Sequence, residues 1–167
     1  QLRKIILKMS ISKREIMDGF EGARAKTFIY MAKALIRELG DEKGRQVIRE
    51  TVCDMSMTSG EATRESYLKQ GIENTWQNHR DLNGPVYEVA WEGGITVDKS
   101  DLKVVEYSYC PLAAGFERLG EEAEELGDIY CEITDNAFWA GFNPKWSVTR
   151  EKKISEDGVC RLVWRKN

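Results

Sequence analysis

Three of the four cysteines fall in the last third of the chain, at positions 110, 131 and 160, each at a boundary or on a definable face. Thiols are the strongest nucleophiles and the softest ligands a protein carries, so their placement bounds the chemistry available. Cys110 precedes Pro111. Proline favours the first helical position, which predicts Cys110 at the helix N-cap. A thiolate there faces unpaired amides and the positive end of the helix dipole, and both lower its pKa. A small apolar residue filling a strand-to-helix corner is the other reading of the same position. Asp128, Cys131 and Asp135 follow at i, i+3 and i+7, so they share one helix face. Flanking carboxylates raise a thiol pKa, which suits proton transfer or ligand binding better than free nucleophilic attack. A half-exposed face in a Glu-rich segment accounts for the same pattern. Cys160 alternates with Leu162 and Trp164 and is expected on the apolar strand face, where it reads first as a packing residue. Cys53 has no assigned role.

His79 is the single histidine. It is a potential general base near neutral pH, or a hydrogen-bonded core residue on an apolar helix stripe. One histidine excludes a His-only metal site. A thiolate site would need Cys110, Cys131 and Cys160 to converge with Asp135 or His79, and these spacings match no compact zinc pattern. Neither metal nor cofactor is expected, and Gly93-Gly94 is an isolated pair with no phosphate loop around it. Trp139, Phe142 and Trp146 bracket Asn143-Pro144 and are expected to line a cavity. Asn143 either bonds its own backbone or orients a polar substrate there.

The elements that position these residues divide into a helical first half and a mixed second half. Ser12-Lys13-Arg14-Glu15 is a capping box opening a helix. Ile16, Phe20, Ala23, Thr27, Met31 and Leu35 follow at helical spacing, and Gly40 closes the segment. Asp41 is the expected cap of a second helix with Val47, Ile48, Thr51, Val52 and Met55 on its apolar face. Met57 to Gly60 reads as a loop. A third helix carries Leu68, Ile72, Trp76 and His79 on one stripe, and Asn83-Gly84-Pro85 ends it. Val86 to Trp91 and Leu102 to Tyr109 read as strands bounded by Gly93-Gly94 and Pro111. Pro111 starts a short helix ending near Gly120. Glu121 to about Ala140 is a longer helix with Leu126, Ile129, Ile133, Ala137 and Ala140 inward. Trp146 to Lys153 and Val159 to Arg165 form a hairpin closed near Asp157-Gly158. The order predicts an α+β domain spanning residues 1–167. Its helical N-terminal half precedes a four-stranded, mostly antiparallel sheet with two helices between the strand pairs.

At 167 residues and 41% hydrophobic content, the chain can build a sizeable core without a disulfide or metal staple. A net charge of -3 with interspersed signs gives no basic footprint for nucleic acid. No apolar run is long enough to span a bilayer. Ile5-Ile6-Leu7 is too short for a signal h-region. Without a secretory segment the cysteines are expected to be reduced, in a cytoplasmic protein. The expected partner is a small molecule, and nothing in the charge pattern decides an oligomeric state.

Several short motifs occur in order: Tyr109-Cys110-Pro111-Leu112-Ala113, Leu119-Gly120, Asp128-Ile129-Tyr130-Cys131-Glu132, Gly141-Phe142-Asn143-Pro144, Thr149-Arg150 and Gly158-Val159-Cys160. As a set, over about residues 100 to 165, they resemble the L-2-amino-thiazoline-4-carboxylic acid hydrolase family. The resemblance implies hydrolytic ring opening of a cyclic amidine towards a carbamoyl-cysteine. It marks Cys110, Cys131, Asp135, Asn143 and Cys160 as matching positions, without giving their roles. The layout is also similar to vinyl-reductase-type domains, whose pocket binds a small molecule and does not always react. The expected site therefore has Cys110, Cys131, Asp135 and His79 as reacting groups. Asp128, Asn143, Cys160 and Trp139 are expected around the substrate.

Overall fold

The structure, a computed structural model, describes residues 11–167, so the Ile5-Ile6-Leu7 run lies outside the described residues. Helix α1 (Lys13–Leu39) opens with the expected capping box: the Ser12 hydroxyl accepts from the Glu15 amide, and the Glu15 carboxylate accepts from the Ser12 amide at 2.7 Å. Its buried face differs from the expected stripe. Ile16, Phe20 and Met31 are exposed, and Ala25, Ile29 and Ala32 are buried. Small residues let α1 approach the helix beneath it; a Cβ on Gly115 of that helix would sit 2.8 Å from the Ala25 Cβ.

Helix α2 (Asp41–Lys69) is uninterrupted. Gly40, not Asp41, is its N-cap, and the Asp41 carboxylate instead accepts from Arg45 Nε at 2.8 Å. The expected loop at Met57 to Gly60 is helix. Gly44, Ile48, Val52, Ser56 and Gly60 form its buried stripe, while Thr51 and Met55 are exposed. A side chain at Gly60 would collide with the Phe138 carbonyl oxygen and come within 2.9 Å of the Phe142 amide. Glycine here serves a close helix–helix approach and does not break the helix. Ser56 and Thr134 hydroxyls bond across the same contact at 2.9 Å.

Gly71, at φ +70°, ends α2 and separates exposed Leu68 from the next helix, so the two do not share a stripe with Trp76. Helix α3 (Trp76–Ala90) is capped by Thr75, whose hydroxyl accepts from the Asn78 amide. It continues through Pro85 instead of stopping there. The residue before Pro85 is Gly84, which has no Cβ to clash with the proline ring and so tolerates helical backbone. Val86 to Ala90 is therefore helix, with Trp91 as its C-cap, and the first strand begins one residue later.

Strands β1 (Glu92–Asp98) and β2 (Leu102–Tyr109) form a hairpin. Helices α4 (Pro111–Glu117) and α5 (Glu121–Phe142) follow. Of the expected inward residues of α5, Leu126, Ile129 and Ala137 are buried and Ala140 is exposed. Strand β3 (Trp146–Lys152), the one-turn α6 (Ile154–Asp157) and β4 (Cys160–Lys166) complete the described chain. The sheet order is β1-β2-β4-β3 and every pair is antiparallel, as an α+β fold with inserted helices requires.

Two apolar clusters result. One is helical, built around Ala25, Ile48, Phe116 and Leu126, with Cys110 and Cys131 at its edge. The other joins α3 and α5 to the sheet through Trp76, Trp139, Phe142 and Trp164, with Tyr107 and Cys160 at its edge. No helix among the described residues is long and apolar enough to cross a membrane.

Candidate active site

A cavity of about 430 Å³ is bordered by residues of both clusters. The sheet contributes one face, because side chains alternate along each strand. Tyr107 of β2 pairs with Cys160 of β4, and Leu162 of β4 pairs with Arg150 of β3; all four line the cavity. Helix α5 contributes Cys131, Thr134, Asp135, Phe138 and Trp139, which recur at helical spacing. Helix α3 contributes His79, Arg80, Asn83 and Tyr87, and Cys110 stands at the β2–α4 junction.

Cys110, Cys131, Asp135, His79, Cys160 and Trp139 all border this one space. Cys110 is the N-cap of α4, as expected. Its pKa nevertheless runs opposite to the expected direction: burial raises it, outweighing the Ala113 and Leu112 amides and the Trp91 indole beside the sulfur. Burial lifts the Cys131 thiol well above the usual range, with Arg150 opposing, and pushes Cys160 up to about 12, with Asp135 adding to the rise. All three thiols are protonated at neutral pH.

Asp135 behaves differently. Burial raises its carboxyl from an ordinary 3.8 to about 6, with Arg150 and Arg24 pulling the other way. Among the described residues no hydrogen bond or ion pair engages this carboxylate. It is the cavity group poised to gain or lose a proton near neutral pH.

His79 sits in an aromatic box, its ring centroid 5.1 Å from Phe142, 5.2 Å from Phe138 and 5.4 Å from Trp139. Burial lowers its pKa to about 4. The imidazole is therefore neutral at pH 7 and a weak base, which removes most of the case for the expected general-base role.

Two expected site residues stand apart. The Asn143 amide donates to the Asn74 carbonyl at 2.7 Å and its oxygen accepts from the Lys145 amide at 3.1 Å. Asn74 in turn donates to the Phe142 carbonyl at 2.8 Å. Asn143 clamps the turn after α5 to the loop before α3, and it does not border the cavity. Asp128 shares the α5 face with Cys131 but accepts from Arg150 Nη1 at 3.2 Å and Lys153 Nζ at 2.8 Å. Its charge is spent on those cations. It borders a second cavity of about 390 Å³, which shares Cys110, Cys131, Arg150 and Cys160 with the first.

The cations were missed from sequence. Arg24, Arg80 and Arg150 all border the main cavity. Arg24 donates to the Tyr130 hydroxyl and pairs with Glu21, and Arg150 pairs with Asp128. Arg80 has no acidic partner among the described residues, and its charge pulls down the otherwise raised pKa of the Tyr87 and Tyr107 phenols. Its position directly after His79 was the available signal, obscured by ending α3 too early. Thr149-Arg150 stood among the ordered motifs without a role. Among the described residues no three His, Cys, Asp or Glu side chains are arranged to hold a metal ion.

The cavity thus offers one titrating carboxylate, an unpaired guanidinium and three neutral thiols, bounded by aromatic rings. Such a site binds a small molecule carrying both charges and moves a proton on it. Among curated proteins, none matches the chain. A family model described as L-2-amino-thiazoline-4-carboxylic acid hydrolase matches residues 22–164.

Proposed function

The chain belongs to the L-2-amino-thiazoline-4-carboxylic acid hydrolase family, and from that premise we propose that Asp135 is the acid–base group of a hydrolase that opens a small cyclic amidine at a C–N bond. Family membership supports a hydrolase acting on a thiazoline-carboxylate-like substrate. The observation that carries the finer reading is Asp135: a carboxylate with no protein partner among the described residues, bordering the cavity, with its pKa raised to about 6.

The substrate has a protonated amidine at one side and a carboxylate at the other. Asp135 suits the amidinium and Arg80 suits the carboxylate, since charge-assisted hydrogen bonds are the strong ones. Water adds to the amidine carbon and gives one proton to Asp135, leaving a neutral tetrahedral intermediate. Asp135 returns that proton to the ring nitrogen as its bond to carbon breaks. The hydroxyl proton of the intermediate passes to the released amine, which leaves as an ammonium, and a carbonyl forms. The product is the ring-opened S-carbamoyl amino acid.

A second reading has Cys110 attack the amidine carbon. It is favoured by the Leu112 and Ala113 amides and the Trp91 donor beside the sulfur, which oppose the effect of burial. Water is the better nucleophile for this site because burial keeps all three thiols protonated.

The test is incubation of purified protein with 2-amino-thiazoline-4-carboxylate and mass-spectrometric analysis for a product heavier by one water. Its formation supports the hydrolase. Saturable binding without product overturns it in favour of a vinyl-reductase-type binding domain. Trapping a substrate adduct on Cys110 selects the covalent route.

A further inference from the structure

The polar groups assigned above are sufficient for a single five-membered ring bearing an amino group and a carboxylate. They leave a large part of the cavity surface without a role. That surface is aromatic. Trp76 and His79 of α3, Phe138 and Trp139 of α5, and Trp164 of β4 all border the cavity. They meet mostly edge to face: Trp76 with Trp164 at 6.4 Å, Trp139 with Trp164 at 6.3 Å, and His79 with Trp139 at 5.4 Å. A cavity of about 430 Å³ falls in the range of roughly 300 to 1,000 Å³ that encloses ligands of drug size, well above a one-ring amino acid.

One atom in this wall separates a ligand site from plain packing. Trp164 Nε1 is buried and has no hydrogen-bond partner among the described residues. Buried indole N–H groups ordinarily find an acceptor, and a residue serving packing alone would fill the same space without burying a lone donor. Neighbouring rings present carbon edges and faces to it, so an acceptor must come from the occupant of the cavity.

We propose that the substrate is larger than the parent thiazoline: a cyclic amidine carboxylate bearing a flat aromatic substituent, with a hydrogen-bond acceptor on that substituent, held by the Trp76–Trp139–Trp164 wall. This rests on the amidine-hydrolase reading for its polar half and extends it to the other half. Stacking and edge contacts favour a planar group. The Trp164 N–H selects one that carries a ring nitrogen or an ether or carbonyl oxygen. Arg80 and Asp135 hold the polar end in either case.

The experiment compares binding of three probes by titration calorimetry, with product formation followed in parallel: 2-amino-thiazoline-4-carboxylate, its 5-phenyl derivative and its 5-(4-pyridyl) derivative, each also made with the ring on the exocyclic nitrogen. The phenyl compound is expected to bind at least tenfold tighter than the parent in one of the two attachment series. The pyridyl compound is expected to gain several-fold more, and Trp164→Phe is expected to erase only that last gain. Equal or tighter binding of the parent overturns the proposal, and the wild-type comparison decides this even if the variant does not fold. A pyridyl advantage that survives Trp164→Phe overturns the assignment of the acceptor. Turnover of the parent without an aryl gain leaves the hydrolase and removes the larger substrate. Tight aryl binding without any product does the reverse.

Discussion

Cys131 and Asp135 stand one turn apart on α5, and both border the cavity into which Tyr107 and Cys160 face from the sheet. Burial raises the pKa of both, with opposite consequences. It silences the thiol at neutral pH and brings the carboxyl to where it exchanges protons. The same low-dielectric surroundings thus choose which of two neighbouring groups is available for proton transfer.

That choice has a stability cost with a definite sign. The folded-state pKa of Asp135 is about 6 against an ordinary 3.8. Below about pH 4 both folded and unfolded chains hold the proton and there is no penalty. As pH rises through about 6 the folded state must ionise a buried group, and stability falls. Asp135→Asn removes the ionisation. It is expected to raise stability at pH 7.5 by on the order of 2 kcal/mol, a gain that disappears near pH 4. Urea unfolding of both proteins at the two pH values checks this; an equally stable or less stable variant at pH 7.5 contradicts it.

His79 predicts an acid limb of the other kind. Its folded pKa is depressed to about 4 from 6.5, so its neutral form supports the fold fully above about pH 6.5, and that support is lost as pH falls towards 4. His79→Phe, which keeps an aromatic ring among Phe138, Trp139 and Phe142, is expected to flatten the drop in melting temperature between pH 6.5 and 4.5. The same variant is expected to retain a basic-side rate profile like that of the wild type, since the imidazole is not the base.

Two glycines in helices give opposite results. Gly60→Ala places a methyl against the Phe138 backbone and is expected to cost about 3 kcal/mol by forcing α2 and α5 apart. Gly19, in α1, has nothing within 4 Å of a built Cβ, so Gly19→Ala is expected to gain about 0.5–1 kcal/mol from helix propensity alone. Chemical denaturation midpoints distinguish them.

These glycines also show where sequence stopped being legible. Strand β2, the Cys110 cap and the span of α5 follow from local rules that the fold leaves intact: alternation, proline at N1 and helical period. Gly60 and Pro85 were read as punctuation because alone they destabilise helices. Contact with α5 at Gly60 supplies a compensating reason for the glycine, and the absent Cβ of Gly84 admits the proline. The Ile16-Phe20-Met31 stripe was the more hydrophobic face of α1, yet the tighter packing face is made of alanines and Ile29. Hydrophobicity ranked the faces by transfer energy, whereas close approach ranks them by size. The convergence of three thiols and Asp135 was anticipated. The arginines were not, because an arginine earns a site role only through the distant acid or ligand it meets.

Arg80 is expected to hold the substrate carboxylate. Arg80→Met should raise KM for 2-amino-thiazoline-4-carboxylate by about tenfold to a hundredfold, the worth of a charge-assisted hydrogen bond. It should leave KM for 2-amino-thiazoline, which lacks the carboxylate, unchanged. An equal loss for both compounds would assign Arg80 to the fold instead.

The raised thiol pKa values set a labelling pattern. Iodoacetamide at pH 7 is expected to modify Cys110, Cys131 and Cys160 slowly in the folded protein and rapidly after denaturation, read by peptide mass spectrometry. Fast labelling of Cys110 in the folded state would signal an activated thiolate and restore the covalent route.

The central claim is tested most directly by the pH dependence of kcat/KM for amidine hydrolysis, measured for wild type and for Asp135→Asn. Asp135 as the base gives a wild-type rate that rises with unit slope to a plateau above about pH 6. The variant should be slower by about 10²–10⁴-fold and lack that limb. A variant that keeps both the rate and the limb contradicts the account.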